Sequence, residues 1–199
     1  MTHGPEVQRW RNLVICSDGT GNTFRQQVSN VSLLVQALDL AHPGDQIVFY
    51  DQGIGTTASL VQGVEAFKKS GGSGRKALEI LPPPKVSVDR PLAKLAGYAL
   101  YANLREMYQA LALNYDHPKT DFIFLMGFSR GAFTVRALAG LVYCCGLPAK
   151  QFAEDDEAFT CCFSQAYAAY KPHCEDWVRI DRFKKTYSAR EIDIHFLGI

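Results

Sequence analysis

Residues 121–133 read DFIFLMGFSRGAF. A strand-length apolar run ends abruptly in Gly127-Phe128-Ser129-Arg130-Gly131, and a helical pattern then continues from Arg130 to Cys145. Gly146-Leu147-Pro148 stops that helix. Strand, GxSxG, helix is the order of a nucleophile elbow. The requirement is steric. The serine sits in a strained turn, at positive φ, where side chains two residues to either side would collide. Glycine at 127 and 131 removes those side chains and lifts the hydroxyl of Ser129 above the sheet edge. The helix behind it begins with unbonded N–H groups and a partial positive charge. The N–H of Arg130 would therefore face an oxyanion forming at Ser129, an interaction worth roughly 3–4 kcal/mol per donor in the transition state.

Working outward, the rest of the chain has the rhythm of a parallel α/β sheet. Leu13–Cys16 reads as a buried strand that runs into the turn Asp18-Gly19-Thr20-Gly21-Asn22. Ser29 or Asn30 can cap a helix carrying Val31, Leu34, Val35 and Leu38 on one face. Ile47–Tyr50 is a second buried strand, and Asp51 ends it. Strand, helix, strand in this order is the unit of a parallel sheet. Residues 91–114 carry Leu95, Tyr98, Tyr101, Leu104, Met107, Tyr108 and Leu111 at helical spacing, a core stripe. The stretch 150–190 reads as helical, and 192–199 reads as a fourth buried strand with His195 at its middle. The expected fold is a single α/β domain over 1–199, three-layered and α/β-hydrolase-like, with a mostly parallel sheet that looks incomplete at its C-terminal side. Residues 58–90, rich in Gly, Pro and Lys, read as an excursion over the sheet edge or a lid, with short helices at 59–69 and 75–81.

Composition limits the functions. The 199 residues carry a net charge of +1 and no long basic run, so nucleic acid is not an expected partner. No stretch approaches the ~18 apolar residues of a membrane span, and the first residues lack the apolar core of a signal peptide. The expected location is the cytoplasm of the producing cell, with delivery by a secretion system left open. The six cysteines, two vicinal pairs among them, match neither a secreted disulfide framework nor a zinc spacing, so they read as reduced core residues. GGSGRK at 71–76 lacks the spacing and the preceding strand of a phosphate loop. No metal or cofactor is expected.

LVICSDGTGNT, NVSLLVQAL, VFYDQGIGT and above all FLMGFSRGAFTVRALAGLV resemble the type VI secretion phospholipase-effector catalytic family, once catalogued as a domain of unknown function. The likeness runs from about residue 11 to 199. It implies an α/β-hydrolase fold and hydrolysis of lipid acyl esters, commonly phospholipids, with Ser129 as nucleophile. Asp18, Gly19 and Thr20 match the loop beside the oxyanion. It also leaves room for peripheral membrane contact and for a secretion-system or immunity partner. In this family the catalytic acid and histidine follow the serine. Here only His173 and His195 do, His195 reading as a core histidine and His173 as a surface one. Asp155, Asp156, Asp176, Asp181 and Asp193 could each orient a base, and nothing in the pattern separates them. Asp51 reads as a loop-holding residue, while Asp18 stays open between that role and one in the site. The acid and base are thus expected beyond Ile199 if not at these positions. Two other readings compete: a non-catalytic hydrolase-like fragment or binding module, and a nucleotide-binding domain using the DGTGN turn, which lacks GxGxxG.

Overall fold

A computed structural model describes residues 10–19, 28–42, 44–51, 78–80, 92–116, 120–171 and 175–199. Among the described residues its sheet has five strands: β1 (Arg11–Ser17), β2 (Gln46–Asp51), β3 (Leu78–Ile80), β4 (Asp121–Gly127) and β5 (Phe196–Gly198). They lie in the order β3-β2-β1-β4-β5, and every pairing is parallel. β1 therefore stands at the centre, with Val14 beside Val48 on one side and Phe124 on the other. This is the expected α/β class.

β1 and β2 are buried on both faces, so they read as apolar runs rather than as alternation, whereas β5, expected to be buried, exposes Phe196 and Leu197. Leu13, Ile15, Ile47, Phe49, Ile123 and Leu125 point to one face, in the larger core. Val14, Cys16, Val48 and Tyr50 point to the other, against Val31 and Val35 of helix α1 (Asn30–Ala37). The larger core is closed by α2 (Leu92–Asn114), α3 (Arg130–Cys145), α4 (Asp156–Tyr170) and α5 (Trp177–Thr186). Leu138 and Leu141 of α3 are fully buried there, each worth about 2–3 kcal/mol of transfer free energy. The stripe expected on α2 is core from Leu104 to Leu111, with Tyr101 packed at its margin. The aromatics of α4 complete it: Phe163 and Tyr167 each meet the Tyr101 ring edge-on at 4.9 Å.

Three expectations change. The short helix at 75–81 is replaced by β3, which pairs with Val48–Tyr50 at the sheet edge; a long-range partner overrides local propensity. The remainder of the 58–90 excursion, including the helix expected at 59–69 and any lid, lies outside the described residues. The last strand is shorter than 192–199, because only Phe196–Gly198 pairs with β4. His195 precedes the strand and is exposed rather than in the core. The cysteines divide as well. Cys16, Cys145, Cys161 and Cys162 are free, but Cys144 is disulfide-bonded, with a partner outside the described residues. Cys144 and Cys145 are both buried in the larger core, and Cys144 also lines a cavity with Tyr143 and Trp177.

Candidate active site

Ser129 stands between β4 and α3 as the N-cap of the helix, at φ 56° and ψ −119°, and makes no capping hydrogen bond with its side chain. Holding a non-glycine residue there costs of order 1–3 kcal/mol. The surroundings enforce it. A Cβ at Gly127 would lie 2.6 Å from the Gly131 carbonyl oxygen and 2.7 Å from backbone atoms of Ala132. A Cβ at Gly131 would lie 2.1 Å from the Ser17 carbonyl oxygen. At both glycines a side chain would thus meet backbone that cannot step aside. Ser129 itself is exposed.

The amides of the elbow are unevenly used. Gly131 N–H donates to the Phe128 carbonyl at 2.9 Å, and Ala132 N–H to the Ser129 carbonyl at 3.1 Å. Phe128 N–H donates across to Ser17 O on β1 at 3.1 Å. Among the described residues Arg130 N–H takes no partner, and it is the amide adjacent to the serine.

The loop after β1 is held from beneath. Asp18 is fully buried, and its carboxylate accepts hydrogen bonds from Gly19 N–H at 2.7 Å, Ser29 Oγ at 2.5 Å and Tyr50 Oη at 2.8 Å. Ser29 is also the N-cap of α1, in a reciprocal box with Ser32. Asp18 therefore ties the start of the loop, β2 and α1 together. Burial, then the hydrogen bond to Asp18, hold the Tyr50 hydroxyl far above its ordinary pKa, so it stays a donor. Since Gly19 N–H is committed to Asp18, it is a brace of the loop rather than a ready oxyanion donor. Thr20 lies outside the described residues.

A second brace has no signature in the sequence pattern. Asp51 ends β2 and is buried; its carboxylate accepts from Ser17 Oγ at 2.8 Å and from Asn103 Nδ2 of α2 at 2.9 Å. Ser17 is the residue whose carbonyl receives Phe128 and faces Gly131. The loop-holding role expected of Asp51 is thus specific: it anchors the strand end on which the elbow rests. For Asn103 alone there is a faint signal, a polar side chain in the apolar sequence of α2, beside the fully buried Leu104.

The candidate acids and bases do not gather at the serine. His195 packs edge-on against Phe122, with ring centroids 4.5 Å apart, and its backbone N–H donates to Ile123 O at 2.9 Å. Ile123 lies four residues before Gly127, about 13 Å down the strand, so His195 sits toward the far end of β4. Asp155 and Asp176 cap α4 and α5 through the N–H groups of Ala158 and Arg179. Asp156 pairs with Arg105 and Asp181 with Lys185, while Asp193 borders the cavity near Tyr143. His173 is outside the described residues. The described residues bring Ser129 and the β1 and β2 ends to one sheet edge, without a histidine beside them.

Residues 11–199 match the family described as the type VI secretion system Tle1-like phospholipase effector, catalytic domain. Among curated proteins the chain is similar to YEL023C, an uncharacterized protein of Saccharomyces cerevisiae, with 28% identity over 193 residues, 95% of this chain. The chain spans about a quarter of that relative, 26% of its length. No solved structure matches the chain.

Proposed function

The chain belongs to the Tle1-like family of type VI secretion phospholipase-effector catalytic domains, and from that membership and the geometry of its elbow we propose that it is a serine hydrolase of phospholipid acyl esters. One observation carries the reading: an exposed serine held at positive φ by glycines that backbone atoms forbid to be anything else. Such strain, kept at one position, is characteristic of functional sites. Ser129 Oγ would attack the ester carbonyl, forming the acyl-enzyme as the alcohol leaves with the proton taken from the serine, and water would then release the fatty acid. The Arg130 N–H would bind the oxyanion. Asp18 and Asp51 would keep the neighbouring loop and strand end in place.

The base that takes the serine proton is the part the described residues do not supply, since the His195 ring accepts through Nδ1 from Ile123 N–H at 3.3 Å, toward the far end of β4. That observation favours one alternative, a module that binds acyl lipid without turning it over. A third reading, nucleotide binding at the DGTGN turn, has less support, because the Asp18 carboxylate is buried in the turn and bonded to Gly19. Delivery by a secretion system and an immunity partner are proposals from the family alone. Among the described residues no helix is long and apolar enough to cross a membrane.

The experiment is release of fatty acid from phospholipid vesicles, followed by mass spectrometry. Wild type should release it and Ser129→Ala should not. The binding-module reading instead predicts lipid binding by both and turnover by neither.

A further inference from the structure

Helix α3 presents an outward stripe that the packing of the core does not use. Phe133, Arg136 and Tyr143 fall at i, i+3 and i+10, so they share one side of the helix that Ser129 opens. Phe133 is 62% exposed and Tyr143 84% exposed, and Phe128, beside the serine, is 47% exposed. From Ser129 to Tyr143 the stripe runs about 21 Å, with the proposed nucleophile at its head.

Along α3 itself the charge is one-sided, and carboxylates come near the stripe at Tyr143, whose cavity Glu191 and Asp193 border. Between Asp121 and Glu154 the sequence holds Arg130, Arg136 and Lys150 and not one carboxylate. Arg130 and Arg136 are exposed and make no ion pair among the described residues. On α5 the pattern is the opposite: Arg179 pairs with Asp176, Lys185 with Asp181 and Lys184 with Glu191. A chain of net charge near zero has thus kept unpaired cations and exposed aromatics together beside the elbow. Amphipathic aromatics settle at the headgroup level of a bilayer, and arginines are drawn to anionic lipid. A protein partner of complementary shape would have to bring its own carboxylates to this face.

Resting on the hydrolase reading above, we propose that this stripe, Phe133, Arg136 and Tyr143, with Phe128 and Arg130 at its head, is the surface by which the chain lies on an anionic phospholipid bilayer, with Ser129 at the membrane side. Docking would be reversible and peripheral. It would place the elbow at the depth of the ester linkages and raise the local concentration of substrate.

The test is co-sedimentation of the full chain with phosphatidylcholine vesicles, with and without phosphatidylglycerol. Wild type should bind the anionic vesicles at least tenfold more tightly, and less tightly as salt rises. Arg136→Glu and Phe133→Ser should each weaken that binding severalfold, and Tyr143→Ser less. All three side chains are exposed, so circular dichroism of the variants should match wild type. No binding by wild type, or equal binding by the three variants, overturns the proposal. So does wild-type self-association in the ultracentrifuge that the same substitutions abolish, which would assign the face to a second copy. The hydrolase reading is scored separately, by soluble fluorophosphonate labelling of Ser129, which needs no surface. Loss of labelling with vesicle binding intact sinks that reading alone, and the reverse result sinks only the docking surface.

Discussion

Two serines among the described residues hold a positive φ, Ser129 at 56° and Ser188 at 47°. Their sign is the same and their setting is not. Ser188 follows the last turn of α5, where the Ala189 N–H reaches back to the Lys184 carbonyl at 2.9 Å. That is the Schellman closure by which many helices end, and a glycine would serve there at least as well. Ser129 opens a helix instead of closing one. It is walled by two glycines, at each of which a Cβ would stand under 3 Å from backbone, and its hydroxyl is bonded to no part of the cap. Left-handed backbone alone therefore says little. Left-handed backbone that neighbouring residues are shaped to preserve, around an exposed serine, points to a use.

The sharpest way to break this contrast is at the walls. Gly131→Ala drives a methyl to 2.1 Å from Ser17 O, and overpacking against fixed backbone should cost about 3 kcal/mol or more. Chemical denaturation should show Gly131→Ala much less stable than wild type, or unable to fold. Gly127→Ala, with clashes at 2.6 and 2.7 Å, should follow at slightly smaller cost. Unchanged stability in either variant would mean that the elbow backbone yields and the walls do not hold Ser129 in place.

Next come the serines themselves. Ser129→Gly and Ser188→Gly should each relieve positive-φ strain and leave the chain as stable as wild type or up to about 1 kcal/mol more so. Only Ser129→Gly should abolish fluorophosphonate labelling. A gain in stability accompanied by lost function is what a strained site produces. If Ser188→Gly also lost labelling, the contrast between the two turns would be wrong.

A smaller effect probes the brace beneath the site. Ser29→Ala removes both the cap of α1 and a donor to the buried Asp18, and should cost about 1–2 kcal/mol. Labelling of Ser129 should slow, since the adjoining loop loses an anchor. The smallest effect concerns thiols. Burial, more than neighbouring charge, pushes the pKa values of Cys16, Cys145 and Cys162 up to about 12. Raised thiols are protonated and unreactive below that pH and become thiolate only above it. Of the described free cysteines, exposed Cys161 should alkylate first at pH 8 and the other three only on unfolding.

The elbow was legible because its causes are local. GxSxG, the apolar run before it and the stop at Gly146 lie within about 25 residues, and the helix begins at Arg130 and ends at Cys145 as the pattern predicts. Ser29 as a cap was legible for the same reason. What escaped is set at a distance. Leu78–Ile80 becomes a strand only because Val48–Tyr50 offers it an edge. Asn103 and Asp51 meet across 52 residues of sequence to hold Ser17, and no period or spacing announces such a pair. His195 reads as core because IDIHFLGI is apolar, yet pairing begins only at Phe196. The site's backbone could be read from residues alone, and its supporting hydrogen bonds could not.

The central claim, that the turn at 129 presents a reactive hydroxyl, is tested most directly by exposing the folded chain to a fluorophosphonate and mapping the adduct by peptide mass spectrometry. One adduct is expected, on Ser129, formed far faster in the folded chain than in urea. An adduct on no serine, or labelling of Ser129 at the same rate folded and unfolded, would contradict it.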